Sequence, residues 1–512
     1  MDFFAVILLL AVYYLRPQEW VAALGTLRPA MFTLAFAIFT MFFREKGFSF
    51  KSLFKTAHDW LVFAFFAWAL FFTPGSISDT WSRLKVMLVS YIVIVQAVNN
   101  WKRLNLLLIW WMAFLVFISL MAVLSEFGID PLGSAYLTHA VNKGRLSFNL
   151  SLFENPNALG HSIVPLLLML YFYFIWKRPL FIKEIGALLM ILPAYCLYLT
   201  QSKGAFLSGF ISTVVGFTFG RPKIAQAFIL ILALTVGWTG IQMLPRMEQM
   251  KTMRADEGIQ VRVQAWQVGY NTMKALSPKG TGVDTFQYVF QRIHGYPKAP
   301  HSSYVQIGTE LGYGGLLLFV GIIYCCFRSL IKTRCENEDE ERVRRVLMVM
   351  LTSYTVSSWM IGWGFNLTFY VIAGTIAAFQ RLNDEKVEQK SEEFQAAIEN
   401  ELGFQGQYRL PFNGVASSDK LGYSVKEIPQ PEFQPSLVPA VSAASAVNTV
   451  VPVATGGVIA VEKSPDEGEA EQDTREEMRR KIWRRPRIID LILIWALTYA
   501  VIWFWQYVMK KL

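Results

Sequence analysis

Cysteine and histidine are scarce in this chain, with four Cys and five His among 512 residues. Cys196, Cys325 and Cys326 fall inside long apolar runs, Cys335 sits in a charged stretch, and no Cys/His spacing fits a zinc site. A disulfide framework is therefore unsupported, and neither a metal nor a cofactor is expected. The N-terminus also lacks the marks of a cleaved secretory signal. It begins Met-Asp-Phe-Phe, without a basic n-region or a small-residue cleavage site, so the first apolar block reads as a retained helix. There is no internal repeat at solenoid spacing and no inverted two-half hydropathy pattern. The net charge of +10 is no sign of nucleic-acid binding, because basic cytoplasmic loops account for it.

Apolar residues are abundant. They make up 54% of the chain and concentrate in long blocks between Met1 and about Arg381, where a globular enzyme would scatter them. Runs such as Leu104 to Leu124, Glu184 to Leu199, Ala225 to Leu244 and Ile488 to Tyr507 approach the roughly 20 apolar residues a helix needs to cross a bilayer. The expected fold is an all-α integral membrane protein of about twelve spans, near 2–16, 28–43, 60–73, 85–99, 104–124, 157–176, 182–199, 205–219, 224–243, 303–327, 346–363 and 365–380. Trp20, Trp60, Trp101, Trp176 and Trp505 recur near block ends, where amphipathic rings suit the headgroup level.

Short basic loops set the orientation. With the N-terminus inside, the cytoplasmic loops hold Arg44, Lys46, Lys51 and Lys55, then Lys102 and Arg103, then Lys177, Arg178 and Lys183, then Arg221 and Lys223, then the basic residues from Arg328 to Arg345. Arg16, Arg28, Arg83 and Lys85 run against this pattern. The outer side receives Ser125 to Pro156 and a large loop, 244–301, within a membrane domain of residues 1–381. Residues 382–480 turn to Glu, Gln, Ser, Pro and Ala and read as a disordered cytoplasmic linker. A basic cluster, Arg479 to Arg487, straddles the start of residues 481–512, which run into one extra span acting as an anchor or docking helix.

Three polar constellations fall on the outer side of this topology. Gly144-Arg145 is followed by Asn155-Pro156-Asn157, where Asn157 reads as a helix cap and Arg145 as an anion ligand. Thr200-Gln201-Ser202-Lys203-Gly204 is a short turn whose lysine either snorkels or meets a phosphate. The third runs from Gly258 to Gly315. A helix over Ala265–Ala275, opened by Arg262, is broken at Ser277 to Asp284, where Gly280 and Gly282 permit a tight backbone near a ligand. Pro300-His301-Ser302-Ser303-Tyr304 then leads to Glu310-Leu311-Gly312, with His301 at the outer end of a span and Glu310 deeper. A lone His at a helix start is more often a cap or surface residue, and the glycines near Gly312 also suit close helix packing alone. Gathered at the outer surface, Arg145, Lys203 and Arg262 would suit a membrane-bound diphosphate, and His301 would assist an acceptor hydroxyl.

Taken in order, these motifs resemble the O-antigen ligase and polymerase superfamily. The resemblance covers about Gly144 to Ala378 and is strongest from Thr200 to Gly315. It rests on Arg145 with Asn155-Pro156-Asn157, the Thr200 to Ala205 turn, Arg262-x-x-x-Trp266 leading to Gly280-x-Gly282, and the run from Pro300 to Gly312. It implies a GT-C-like bundle of about twelve transmembrane helices in the bacterial inner (cytoplasmic) membrane, with a large periplasmic loop. It also implies metal-independent transfer of a glycan from undecaprenyl diphosphate to lipid A core or a protein. By resemblance Arg145 and Arg262 bind the diphosphate and His301 helps the acceptor, with Tyr304, Glu310, Gly280 and Gly282 in support. Lys203 stands where the family usually has Arg, which keeps the charge and loses the bidentate fork. The stretch Leu15 to Trp20 also resembles ligase-like proteins of exosortase systems. A polymerase joining carrier-linked repeat units is the nearest rival, and a secondary transporter is the rival from another class. The tail is a possible docking segment for a cytoplasmic partner.

Overall fold

The computed structural model describes residues 2–25, 27–43, 53–129, 144–243, 257–401 and 483–511. These residues form helices and no strand: α1 Asp2–Leu15, α2 Pro17–Trp20, α3 Pro29–Phe42, α4 Ala57–Phe71, α5 Ile77–Ala97, α6 Trp101–Glu126, α7 Pro156–Leu170, α8 Leu180–Thr200, α9 Lys203–Thr218, α10 Lys223–Met243, α11 Glu257–Ala275, α12 Phe286–His294, α13 Ser303–Lys332, α14 Glu338–Ser357, α15 Leu367–Glu401 and α16 Ile488–Lys511. A helix lies on every apolar segment marked in the sequence. Five are long and apolar enough to cross a membrane, namely α6, α7 with its extension to Ile175, α8, α13 and α16. Helices α1, α3, α4 and the start of α10 are apolar but shorter. The helix foreseen over Ala265–Ala275 begins earlier, at Glu257, and α15 runs past Arg381 to Glu401. Residues 244–256 of the large loop, residues 402–480 of the expected linker, and the basic residues Arg44, Lys46, Lys51, Arg479, Arg480 and Lys481 lie outside the described residues.

Contacts divide the chain into a body of residues 1–386 and 482–512 and a second unit of residues 387–481. Within the body, α13 packs against α4, α11, α14 and α16, while α14 packs against α7 and α9. Polar groups buried in such a bundle need protein partners, since lipid supplies none. At one end the buried Asp59 carboxylate accepts from Arg381 Nη2 at 2.8 Å and from the Tyr91 hydroxyl at 2.8 Å, which ties α4 to α15 and α5. Arg103 reaches Asp2 at 3.0 Å, joining α6 to α1. Arg345 donates to the carbonyls of Gly216 and Phe219 at 3.1 and 3.0 Å, satisfying backbone groups that the last turn of α9 leaves open.

The other end is built around a break in α13. Gly312 has φ 68° and ψ −167°, so the helical hydrogen bonds across it are lost. The carbonyls this releases are taken up by other segments. Thr281 N–H donates to Thr309 O at 3.1 Å, Gly282 N–H to Glu310 O at 2.8 Å, and the Trp68 indole to Leu311 O at 2.9 Å. Gly314 N–H in turn donates to Pro278 O at 3.3 Å. Every one of these positions is crowded. A Cβ on Gly312 would lie 2.2 Å from Pro278 O, and one on Gly280 (φ 76°) would lie 2.4 Å from Gly312 N. A Cβ on Gly282 would lie 2.4 Å from Pro74 O. The glycines of the loop thus permit a close approach to protein backbone, where the sequence had suggested a ligand.

Gly295 separates strain from crowding, because it also has positive φ (85°) and a Cβ there meets nothing within 4 Å. Gly295→Ala should cost about 1 kcal/mol, the strain alone. Gly312→Ala adds overlap to strain and should cost about 3 kcal/mol or more. Thermal unfolding of the purified variants in detergent checks the order, and equal losses would contradict the role given to the break.

Candidate functional site

The end of the bundle that carries the break also collects the polar constellations. Arg145, just ahead of α7, donates from Nε to Thr200 O at 3.0 Å and from Nη2 to Asn157 Oδ1 at 2.9 Å. Ser202 Oγ donates to the same Asn157 oxygen at 2.9 Å. Leu146 N–H bonds Leu199 O at 3.0 Å, which ties this segment to the end of α8. The first two constellations are therefore one site. Asn157 does not cap α7, as the sequence suggested. That task falls to Asn155, whose Oδ1 accepts the Asn157 N–H at 2.8 Å, and the Asn157 side chain is left to join Arg145 to Ser202.

Lys203 is the first residue of α9, capped by Ser202, and is half-buried. The next residue, Gly204, lies against the ring of His161, since a Cβ there would come 3.1 Å from His161 Nε2. His161 is fully buried in α7, and its Nδ1 pairs with Ser357 Oγ at 2.7 Å. Ser357 Oγ continues to Ser208 Oγ at 3.0 Å. Sequence reasoning passed over this histidine. The signal was a polar residue in an apolar run, four positions after Asn157 and so on the same face of the helix.

Arg262 sits half-buried on α11, and its charge acts on both His161 and His301. Trp266, one turn further on, donates from its indole to Pro300 O at 3.1 Å and so fastens α11 to the residue before His301. His301 holds φ 48°, just ahead of the Ser302 cap of α13. Ser303 N–H and Ser302 Oγ both donate to Ser358 O, at 2.7 and 3.1 Å. Burial, then the charge of Arg262, then that of Lys298, push the His301 imidazole down to about 4 from its ordinary value near 6.5. The ring is accordingly neutral at pH 7.

The remaining residues singled out in the sequence serve the frame. Glu310 is buried, and its carboxylate accepts the N–H groups of Asp284 at 2.7 Å and Phe286 at 3.1 Å at the start of α12. Its oxygens satisfy donors that the first turn of α12 leaves open. Tyr304 is buried against Trp359, ring centroids 4.6 Å apart, with its hydroxyl on Thr355 O at 3.1 Å. Gly280 and Gly282 press on the break in α13, as described above. Arg83, an exception to the charge pattern of the loops, pairs with Asp284. Arg16 pairs with Glu19, which also accepts from Ser151 N–H at 2.8 Å. Among the described residues no group of three or more His, Cys, Asp and Glu side chains is placed to hold a metal ion.

Residues 185–320 match the family model described as O-Antigen ligase. This segment is similar to O-antigen ligases. No curated protein matches the chain. The matched segment begins inside α8 and ends inside α13, so it holds Lys203, Arg262, His301 and Glu310, while Arg145, Asn157 and His161 come from the chain ahead of it.

If the neutral His301 acts in glycan transfer, kcat/KM should stay level from pH 8 down to about pH 5 and fall only below that, since the free enzyme sets this limb. Removing one positive neighbour with Lys298→Ala should move the limb to higher pH. A wild-type limb near the ordinary histidine value would contradict the burial argument.

Proposed function

We propose that the chain transfers a glycan from an undecaprenyl-diphosphate carrier to a lipid A core or protein acceptor, without a metal, on the periplasmic face of the bacterial inner membrane. Glycan transfer of the ligase or polymerase type is what the family match supports. The observation that carries the finer reading is the linkage of Arg145, Lys203, Arg262 and His301 at one end of the bundle. They come from four separate parts of the chain, and the bonds through Asn157, Ser202, His161 and Ser357 connect their surroundings.

A diphosphate is already a good leaving group, so catalysis needs stabilisation of its growing charge and activation of a hydroxyl. Cations supply the first, and Arg145 is held in a fixed orientation by Thr200 and Asn157 for that purpose. A neutral imidazole that can accept a proton supplies the second, and His301 meets that requirement at pH 7. The side chains that pin the opposite end include Arg103, Arg345 and Arg381. That bias fits an opposite end facing the cytoplasm, with the site outside. A polymerase would use the same cations and the same carrier. A transporter would place its polar groups near the bilayer midplane in related halves, whereas these groups sit at helix ends.

Membranes supplied with purified lipid-linked glycan separate the readings. Label on a non-carrier acceptor supports ligation, longer carrier-linked chains support polymerisation, and neither product removes the proposal. Arg262→Ala and His301→Ala should each lower transfer by at least about a hundredfold at unchanged abundance in the membrane. Lys203→Arg should keep activity within about twofold, because charge is preserved.

A further inference from the structure

The last helix, α16, lies outside the segment matched to O-antigen ligases, and the sequence offers it as an anchor or docking helix. Its outer surface fits that role, with Ile489, Ile492, Trp495 and Trp503 exposed. One face does not. Trp505, expected among the headgroups, is completely buried although its neighbour Trp503 is 55% exposed. Its indole N–H donates to Trp266 O on α11 at 3.1 Å, and its ring meets Tyr270 edge-on at 5.8 Å. Gln506 Nε2 donates to the Tyr270 hydroxyl at 2.5 Å, and Phe504 packs on Trp359 at 4.8 Å. Gly308 of α13 leaves room for this ring, because a Cβ there would come 3.2 Å from Trp505 Cζ3.

The other end of α16 is gripped as firmly. Asp490 is 1% exposed and accepts from the Tyr324 hydroxyl at 2.8 Å, the Trp483 indole at 2.9 Å and Arg487 N–H at 2.8 Å. Arg328 Nε pairs with it at 3.0 Å and lies over the Trp483 ring at 3.9 Å. A carboxylate buried beside a membrane helix is tolerated only with such partners, so α16 has one rotational setting and one depth against α13. A helix held merely by lipid needs none of this. The contacts lead in sequence from Trp505 to Trp266, from the Trp266 indole to Pro300 O, and so to His301, with Arg262 one turn before Trp266 on the same helix face.

We propose that α16 is a clamp built into the chain, in which Asp490 sets the register and Trp505 is a positioning residue that holds α11, and through it Arg262 and His301, in place for transfer. The inference rests on the transfer reading above for the roles of Arg262 and His301. The clamp itself is tested without activity, by hydrogen–deuterium exchange on the full-length protein in nanodiscs. Trp505→Ala should raise exchange over residues 259–275 on the order of tenfold, with α6 and α14 unchanged. Trp505→Phe keeps the ring and loses the donor, and should raise it about threefold, which guards against a misfolded alanine variant. In the transfer assay Trp505→Ala should lower kcat on the order of tenfold through misplaced groups, with Trp505→Phe in between. Unchanged exchange in α11, or exchange raised equally in every helix, overturns the clamp. A local rise with wild-type transfer rates overturns its role at the site. A local rise in a protein whose wild type transfers no glycan upholds the clamp and overturns the transfer reading.

Discussion

The arrangement depends on carbonyl groups released where α13 breaks at Gly312. In a membrane bundle an open backbone acceptor has no water to turn to, so the break persists only if other segments fill it. Thr281, Gly282 and Trp68 do so, and in bonding to Thr309 and Glu310 the first two fix the loop after α11 against the bundle. Glu310 adds to this from its side chain by closing the start of α12. A long polar segment that would otherwise wander over the surface thus acquires a position, and Arg262 and His301 at its two ends acquire one with it.

The same economy governs the half of the candidate site that precedes the segment matched to O-antigen ligases. Arg145 is oriented by a carbonyl at the end of α8 and by Asn157 at the start of α7. Asn157 is joined in turn to the cap of α9 through Ser202, which sets Lys203 at that helix's first position. Each cation is thereby attached to a helix end, where packing of the bundle fixes its place. His161, below Gly204 and bonded to Ser357, connects this half to the α14 end that receives Ser302 and Ser303.

Much of this was legible in the amino-acid order, because both membrane helices and sharp glycine turns follow from local chemistry. Apolar length located a helix on each expected span, though not α2 or α12, and the motifs marked Arg145, Lys203, Arg262 and His301 as residues to place together. Partnerships across the chain were not legible. Asn157 was read as a cap because Asn at a helix start usually is one, and only the neighbouring Asn155 shows otherwise. Gly280 and Gly282 suggested a ligand because the backbone that approaches them, at Gly312 and Pro74, is remote in sequence. Trp505 suggested a headgroup for the same reason, as nothing local announces that Trp266 will accept its N–H. His161 escaped notice inside an apolar run. The start of the expected linker shows the limit of composition as a guide, since α15 carries a polar sequence as helix from Arg381 to Glu401.

The most direct measurement is an experimental structure of the full chain in a lipid bilayer with an undecaprenyl-diphosphate-linked sugar bound. The account predicts the diphosphate between Arg145, Lys203 and Arg262, with the anomeric carbon turned toward His301. A diphosphate bound at the end that holds Asp59 and Arg381, or one touching none of the three cations, would contradict it.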